Sequence, residues 1–434
     1  MPGLRGPWQP TRAVRRAVGL SCLFLVVGAI LGRPDLVAMG SPLAVGLLLA
    51  LARRPTAAPE VSLEVPASLL VEGQVTTAEV AIATDFPLDV ATVAVDTDPW
   101  LGVVGGRTRR TLALPAGGES VLDVRLRALR WGRHTAGPVW LLAYACDGML
   151  VCTPQHAPAV PVDVTPLYEP FAATELVPKA TGIVGVHRSR RPGEGGELAG
   201  VRPFQLGDRL RRIDWRVTLR TGEMHVTATL SDRDTDIVVL LDSLHEVGVS
   251  GGILGRPSSL DTEVRAAAAV AEFYLSRGDR VSVVDYGGRT RFVPARTGRT
   301  HLRRILDWLL DTEVFPEAAD AGPRMLGARV LPPNALTVVL TPLVDERILR
   351  ILATLAQHGR SLVAVDTLDA EARPDRFGVW QDTAYRLWRM RREADIQRLR
   401  DAGVPVVAWA GAGSLDMVLR DVTRMASAAR AAAR

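Results

Sequence analysis

The sequence predicts an N-terminal transmembrane helical hairpin, a small all-β sandwich and an α/β domain built on a doubly wound parallel sheet. Three patterns carry this prediction: two uncharged apolar runs near the N-terminus, a region of short alternating strands, and a region where strands alternate with helices. The chain's 434 residues are too many for one ordinary domain, and a hydrophobic content of 47% suffices for well-packed cores.

The first region, residues 1–54, is predicted to be a cytoplasmic tail followed by a two-helix membrane anchor. Residues 17–32 and residues 36–52 carry no charged side chain. A membrane-crossing helix needs about 20 residues, within a range of about 17–25, so both runs lie at the short end. Arginines precede the first run and follow the second. By the positive-inside rule, both ends and all later domains are expected in the cytoplasm, at the inner or plasma membrane.

A cleaved signal peptide is the alternative interpretation of the N-terminal region. Such a peptide also begins with basic residues, continues with an apolar stretch and ends at small residues, which here would be residues 38–40. It leaves the second apolar run unexplained, because that run would still need a membrane. The sequence therefore favours a multi-pass protein in contact with the lipid bilayer.

Residues 57–165 are predicted to form the β-sandwich. Apolar and polar residues alternate with a period of two in short runs such as 77–82 and 139–144, and Gly, Pro and Asp separate the runs. Cys146 and Cys152 flank a turn signal and are predicted to face each other across a hairpin. In the cytosol a reduced pair is expected rather than a disulfide.

Residues 236–430 are predicted to form the α/β domain. Apolar strands such as 236–241, 280–286 and 335–340 are separated by helical stretches, a pattern typical of a doubly wound parallel sheet. Binding sites in such sheets lie at the carboxyl ends of the strands. An arginine-rich helix over residues 386–400 also carries acidic residues, so it is expected to be a solvated face.

Between these domains, residues 166–235 are arginine-rich and show little regular periodicity. Two interpretations of their densest motif are open: a surface that binds an anion or a partner, and an internal ion-pair clasp whose tryptophan plugs into the α/β domain. Residue chemistry favours the clasp, since ion pairs usually serve structure. Aromatic residues are too few for a nucleic-acid stacking platform, so no nucleic acid is expected. The candidate residues are Gly207, Asp208, Arg212, Asp214, Trp215 and Arg220.

The motif resembles the bacterial domain of unknown function 58 family. The similar residues are Gly195-x-Glu197, Val201-Arg-Pro-Phe204, Gly207-Asp208, Arg212-Ile-Asp-Trp215 and Arg220-Thr-Gly222. The resemblance covers essentially the whole chain, and it implies a membrane hairpin and a β domain joined to a von Willebrand factor A-like domain. Family members often accompany MoxR-type AAA+ ATPases. The resemblance therefore implies a non-enzymatic scaffold or adaptor in cell-envelope or complex-assembly processes.

Von Willebrand A domains often hold a divalent metal through an Asp-x-Ser-x-Ser motif after the first strand. In this chain Asp242 fits that motif, but Leu244 and Glu246 replace both serines. Residues 341–342 are Thr-Pro where a further aspartate is expected, and Asp345 follows three residues later. Magnesium needs an octahedral shell of oxygen ligands. Because these substitutions remove expected oxygen ligands, we expect no bound metal or other cofactor. Asp242 and Asp345 remain the candidate ligands of the alternative, a metal-dependent binding module.

A hydrolase that uses Ser250 is the remaining alternative, because residues 248–252 spell Gly-x-Ser-x-Gly. A hydrolase nucleophile lies on a sharp turn between a strand and a helix. Here the strand is predicted to end near Leu241, and a stretch rich in Gly, Pro and Ser follows it. The sequence therefore predicts a loop around Ser250, and no enzymatic activity is expected.

Overall fold

The computed structural model describes residues 7–168, 192–193, 197–204, 213–230, 236–287, 291–314, 327, 330–332, 335–369, 372, 381–409 and 411. The chain divides into two compact units, Met1–Leu167 with Gly252–Leu254, and Tyr168–Gly251 with Gly255–Arg434. The last part of the predicted α/β domain, residues 412–430, lies outside the described residues.

A short strand and two apolar helices begin the first unit: β1 Trp8–Pro10, α1 Arg12–Leu31 and α2 Pro34–Ala52. Gly32 ends α1 with a φ of 62°, a left-handed conformation that glycine adopts without strain. The two helices pack so closely that a Cβ atom on Gly28 would lie 2.9 Å from the Val37 side chain. Among the described helices, α1 alone is long and apolar enough to cross a membrane, since the apolar stretch described for α2 is the shorter Pro34–Ala50.

Eleven further strands of the first unit form two facing sheets. One sheet has the order β2-β4-β8-β6, and the other has the order β1-β10-β9-β12-β3, with β5, β7 and β11 joined to it. Both sheets contribute to one core, in which alternate residues such as Val80 and Ile82 are buried, as the period of two predicted. The strands are β2 Glu60–Glu64, β3 Leu69–Val71, β4 Val75–Thr84, β5 Leu88–Thr97, β6 Leu101–Val103, β7 Arg109–Leu114, β8 Gly118–Ala128, β9 Gly132–Ala145, β10 Leu150–Cys152, β11 Gln155–Ala157 and β12 Val160–Thr165.

The N-terminus of α1 and the C-terminus of α2 are both attached to this sandwich. Ahead of α1, β1 pairs antiparallel with β10, and Trp8 is only 1% exposed, with its ring packed edge-on against Phe86. The Trp8 indole NH donates a hydrogen bond to the Ala57 carbonyl at 2.8 Å. After α2, the Arg54 guanidinium donates to the Trp8 carbonyl at 3.1 Å. The sequence did not predict β1, because three residues are too few to show a period.

The predicted pairing of Cys146 with Cys152 across a hairpin is wrong. The register of β10 on β9 places Leu150 opposite Ala145, and the Cys146 carbonyl accepts the Met149 NH to close the turn. Cys152 therefore lies farther along β10, where it is buried in the sandwich core. Both thiols are free.

The second unit begins with a small antiparallel sheet where the sequence predicted little regularity. This sheet has the order β13-β15-β14, and a short helix precedes its last strand. The elements are β13 Pro192–Gly193, β14 Glu197–Pro203, α3 Trp215–Thr221 and β15 His225–Leu230. A bulge between Leu198 and Gly200 interrupts the ladder, and such interruptions remove the strict alternation by which a strand is recognised.

A six-stranded sheet with helices packed on it forms the rest of the second unit. Its order is β18-β17-β16-β19-β20-β21, and every residue of the central strand from Ile237 to Asp242 is buried, as in a sheet covered on both faces. The elements are β16 Asp236–Asp242, α4 Ser259–Ser276, β17 Arg280–Tyr286, β18 Arg291–Arg296, α5 Arg299–Leu309, β19 Leu336–Thr341, α6 Glu346–Gln357, β20 Leu362–Asp366, α7 Gln381–Asp401 and β21 Val406–Ala408.

The edge strand β18 corrects the prediction of an all-parallel sheet. It pairs antiparallel with β17, whereas the other neighbours are parallel. Only four residues separate β17 from β18, too few for the crossover that parallel strands need. The chain then passes to the other side of β16, so the carboxyl ends of β16 and β19 lie at the point where the strand order reverses. Binding sites form at such points in doubly wound sheets.

Candidate functional site

Asp242 ends the central strand and lies at the centre of a polar cluster on the carboxyl edge of the six-stranded sheet. Its side chain is 1% exposed. The Thr341 hydroxyl at the end of β19 donates to Asp242 Oδ2 at 2.6 Å, and the Leu244 NH donates to Oδ1 at 3.3 Å. Burial raises the pKa of Asp242 to about 6, although both hydrogen bonds oppose that rise.

Glu263 on α4 is a second fully buried carboxyl group near Asp242. The Thr367 hydroxyl donates to its Oε1 at 3.1 Å, whereas Oε2 has no hydrogen-bond partner. Burial, followed by the negative charge of Asp242, raises the pKa of Glu263 well above its usual value. Burial therefore disfavours the ionised form of Glu263, because a charged carboxylate is costly in the interior. The sequence offered no signal for this residue, which lies within an ordinary helix.

Asp285 at the end of β17 completes the buried acidic groups. It accepts hydrogen bonds from the Ser243 hydroxyl and from the Arg291 guanidinium, the latter at 3.0 Å. Burial raises the pKa of Asp285, and the contacts with Ser243 and Arg291 counteract part of this rise. Ser243 is therefore engaged with a neighbouring strand rather than turned toward a ligand.

Asp345, the other candidate metal ligand, is held by basic groups. It caps the N-terminus of α6, where its Oδ1 accepts the Arg347 NH at 2.7 Å. Its Oδ2 accepts from the Arg347 guanidinium at 2.8 Å and from His245 Nε2 at 2.7 Å. Burial alone would raise the pKa of Asp345, but the hydrogen bonds from Arg347 and His245 lower it to about 2. The carboxylate is thus ionised and already neutralised within the protein.

Arg392 of α7 also lies on this edge, although most of the described helix is exposed, as predicted. The helix was predicted to be a solvated face, yet the Arg392 side chain is only 14% exposed. Its guanidinium donates to Asp366 Oδ1 at 2.6 Å and to the Pro342 carbonyl at 2.8 Å. An arginine therefore stands beside residues 341–342, where a metal-binding domain would carry an aspartate.

The structure does not group the metal-candidate residues into a ligand set. Among the described residues, no three His, Cys, Asp or Glu side chains are placed to hold one metal ion. Leu244, at a serine position of the metal motif, is 2% exposed and packs in the sheet's core. Asp242 is occupied by Thr341, and Asp345 is occupied by Arg347.

Divalent metal is therefore expected to be dispensable for stability. A site with micromolar affinity would add about 2.7 kcal/mol at a hundredfold excess of metal over its Kd. We expect the melting temperature of the detergent-purified chain to be the same in EDTA and in millimolar Mg²⁺ or Mn²⁺. Calorimetry supplies the second measurement. Stoichiometric micromolar binding that Asp242→Ala abolishes would contradict this expectation.

Ser250 lies in a loop, as the sequence predicted. The preceding strand ends at Asp242, a 3-10 helix covers Gly252–Leu254, and α4 begins only at Ser259. Ser250 is thus separated from both the strand and the helix by several residues. This geometry differs from the sharp strand-to-helix turn on which hydrolases place their nucleophile.

The motif residues that the structure describes are Asp214, Trp215 and Arg220, whereas Gly207, Asp208 and Arg212 lie outside the described residues. The predicted insertion of Trp215 into the sheet domain is wrong, whereas the ion pairs of the clasp involve Asp208 and Arg212 and stay a prediction. Asp214 caps α3, with its side chain accepting the backbone NH groups of Arg216 and Val217 at 3.1 Å. Trp215 is 63% exposed and does not plug into a core. Arg220 lies in the last turn of α3 and is exposed.

Comparison with solved structures finds partial likenesses with low scores. A fragment of Escherichia coli alpha-2-macroglobulin is 22% identical and has a TM-score of 0.23. The match covers 26% of this chain and 17% of the macroglobulin chain. The cupredoxin domain of amoB from Nitrosocaldus yellowstonii is 17% identical, covers 27% of this chain and 94% of its own, and has a TM-score of 0.19. Scores this low carry no conclusion about the fold.

Comparison with other sequences finds relatives without an assigned function. An uncharacterized protein of Mycobacterium bovis and two of Mycobacterium tuberculosis are each 33% identical over 130 residues. The matched segment is 30% of this chain, and it spans 40% of the length of each relative. Residues 200–374, which include the motif helix and the edge of the six-stranded sheet up to Asp366, match the model of the family described as "Protein of unknown function DUF58".

Proposed function

We propose that this chain is a membrane-anchored scaffold or adaptor that binds another protein and has no enzymatic activity of its own. Its two N-terminal helices cross the membrane as a hairpin, and its other domains face the cytoplasm. The six-stranded α/β region acts as a von Willebrand A-like interaction domain. The partner is a MoxR-type AAA+ ATPase, as the resemblance to the DUF58 family implies.

The attachment of both helix ends to one sandwich is the observation that carries the anchoring proposal. β1 precedes α1 and belongs to the same sheet as the strands that follow α2. Because the outer ends of the pair meet one domain, they lie on one side of any membrane that α1 crosses. The chain must then return through α2. A signal peptide fits less well, since cleavage after α1 would remove Trp8, which is buried in the sandwich.

The surfaces of the two helices support the same topology. Large apolar side chains that point away from the helix pair are exposed, including Leu23 and Ile30 on α1 and Leu48 on α2. Such a surface is favourable in lipid and unfavourable in water. The turn between the helices pairs Arg33 with Asp35 at 2.9 Å, so the short loop that crosses carries little net charge.

Reporter fusions test this topology directly. Fusions after Arg54 and at the C-terminus are expected to give active cytoplasmic reporters and inactive periplasmic ones. An Asp35→Cys variant in a cysteine-free chain is expected to react with an impermeant maleimide from outside the cell, whereas Thr56→Cys, its matched control, is expected to be protected. A periplasmic signal at either fusion point would contradict the hairpin.

The polar cluster at the sheet edge supports an interaction role over the two alternatives. A metal-dependent module would need Asp242 and Asp345 to converge on an ion, but Arg347 and His245 hold Asp345. A hydrolase would need Ser250 on a nucleophile turn, but Ser250 lies in a loop. The internal hydrogen bonds of Asp345 to Arg347 and His245 stabilise this edge and favour an interaction role.

Co-purification tests the partner assignment. The full chain is coexpressed with a tagged MoxR-type ATPase from the same genome, extracted in mild detergent and captured through the tag. We expect recovery of both proteins, and the same ATP turnover with and without Ser250→Ala. Absence of the chain from the captured fraction, with ATP or without it, would overturn the assignment.

A further inference from the structure

The motif helix α3 presents an exposed face that combines apolar and basic side chains. Trp215 and Leu219 are one helical turn apart and are 63% and 83% exposed. Residues four apart lie on the same side of a helix, so the two side chains form one ridge. Met224, just after the helix, is 50% exposed. Large apolar side chains that stay exposed together are typical of protein-interaction sites.

The opposite side of α3 is fixed to the small sheet. The Thr218 hydroxyl accepts the His225 NH at 3.0 Å, and the Asp214 NH donates to the His225 carbonyl at 2.9 Å. A β-bridge joins Ile213 to Val226, which is 2% exposed. The exposed ridge is therefore held by contacts beneath it, and removal of the ridge side chains leaves those contacts in place.

Two arginines border the ridge. Arg216 and Arg220 are also one turn apart and exposed, and neither forms an ion pair with a described residue. Their positive charges complement a surface that carries carboxylates. Tryptophan and arginine are also the side chains that most often dominate binding energy at protein interfaces.

We propose that Trp215, Leu219, Arg216 and Arg220 form a docking face for a partner protein that offers an apolar pocket bordered by acidic side chains. A lipid surface fits less well for two reasons. The exposed face of this two-turn helix offers only two apolar side chains, and exposed Glu223 follows the helix, where it would repel anionic head groups. A protein pocket can instead place its acidic groups beside the arginines alone.

The docking face rests on the proposed function, and the coexpressed ATPase is the probe. In the co-purification assay, the double variants Trp215→Ala with Leu219→Ala and Arg216→Glu with Arg220→Glu are expected to reduce the recovered chain at least tenfold. Raising the salt concentration is expected to weaken recovery of the parent, because screening reduces attraction between exposed charges. Melting temperatures should match the parent, since all four side chains are exposed.

Leu387→Ala with Met390→Ala is the matched control, because these α7 side chains are 62% and 70% exposed but lie outside the motif. This control is expected to co-purify like the parent. Normal recovery of both motif variants would overturn the docking face and leave the proposed partner intact. Failure of the parent itself would overturn both.

Discussion

Replacement of Trp8 by alanine is expected to lower the free energy of unfolding by about 3–5 kcal/mol, the usual cost of removing a buried tryptophan. Trp8 is 1% exposed, packs against Phe86 and donates a hydrogen bond to the Ala57 carbonyl. The substitution leaves a cavity and an unpaired carbonyl. Thermal unfolding of the detergent-purified chain measures the change, and limited proteolysis should show that residues before α1 become susceptible.

Trp140→Ala is the matched control for this prediction. Trp140 lies on the same sandwich, but it is 41% exposed and its indole NH donates to Asp96 at the surface. Its loss is expected to cost far less than the loss of Trp8. Equal melting temperatures for Trp8→Ala and the parent would show that β1 does not belong to the sandwich. The argument that both helix ends lie on one side of the membrane would then fail.

Glu263→Gln is expected to stabilise the chain, and the gain is expected to grow as the pH rises. The pKa of Glu263 is raised in the folded chain by burial and by the charge of Asp242, from an ordinary value of 4.5. Below pH 4.5 both the folded and the unfolded chains hold the proton of Glu263, so the free energy of unfolding does not change with pH on account of this residue. Above it, the unfolded chain releases the proton first, and the parent loses stability until the pH passes the raised pKa. Each pH unit in that window removes about 1.4 kcal/mol.

Melting temperatures of parent and variant between pH 5 and pH 8 test this prediction. The amide of glutamine cannot ionise, so the variant should not lose stability in this way as the pH rises. It should therefore melt progressively higher than the parent. Glu393→Gln is the control, because Glu393 is an exposed glutamate on α7 of the same unit. A variant that is less stable than the parent throughout this range would mean that Glu263 is ionised and held by a cation.

Elements with a local signal could be predicted from the sequence. The two apolar runs became α1 and α2, and the predicted strand over residues 280–286 has the observed bounds of β17. In each case the pattern of apolar residues within the element itself determines what it must bury. Helix capping is also local, since Asp345 caps α6 from the position directly before it.

Other features depended on residues that are distant in the sequence. β1 is a strand because β10, about 140 residues later, supplies its partner. Arg392 is partly buried because it bonds to Asp366 and Pro342, although its helix has the composition of a solvated face. Trp215 was predicted to be a buried anchor, yet it is 63% exposed.

Local periodicity determined the order of helical and strand regions in this protein, because the spacing of apolar residues within each element shows which face that element buries. The polar cluster of Asp242, Glu263 and Asp285 was decided only by tertiary packing. Asp242 and Asp285 meet because neighbouring parallel strands end at one edge of the sheet, and helix α4 brings Glu263 to them. Their burial, and therefore their pKa values, depends on which distant side chains close over them, and that information is absent from any short stretch of sequence.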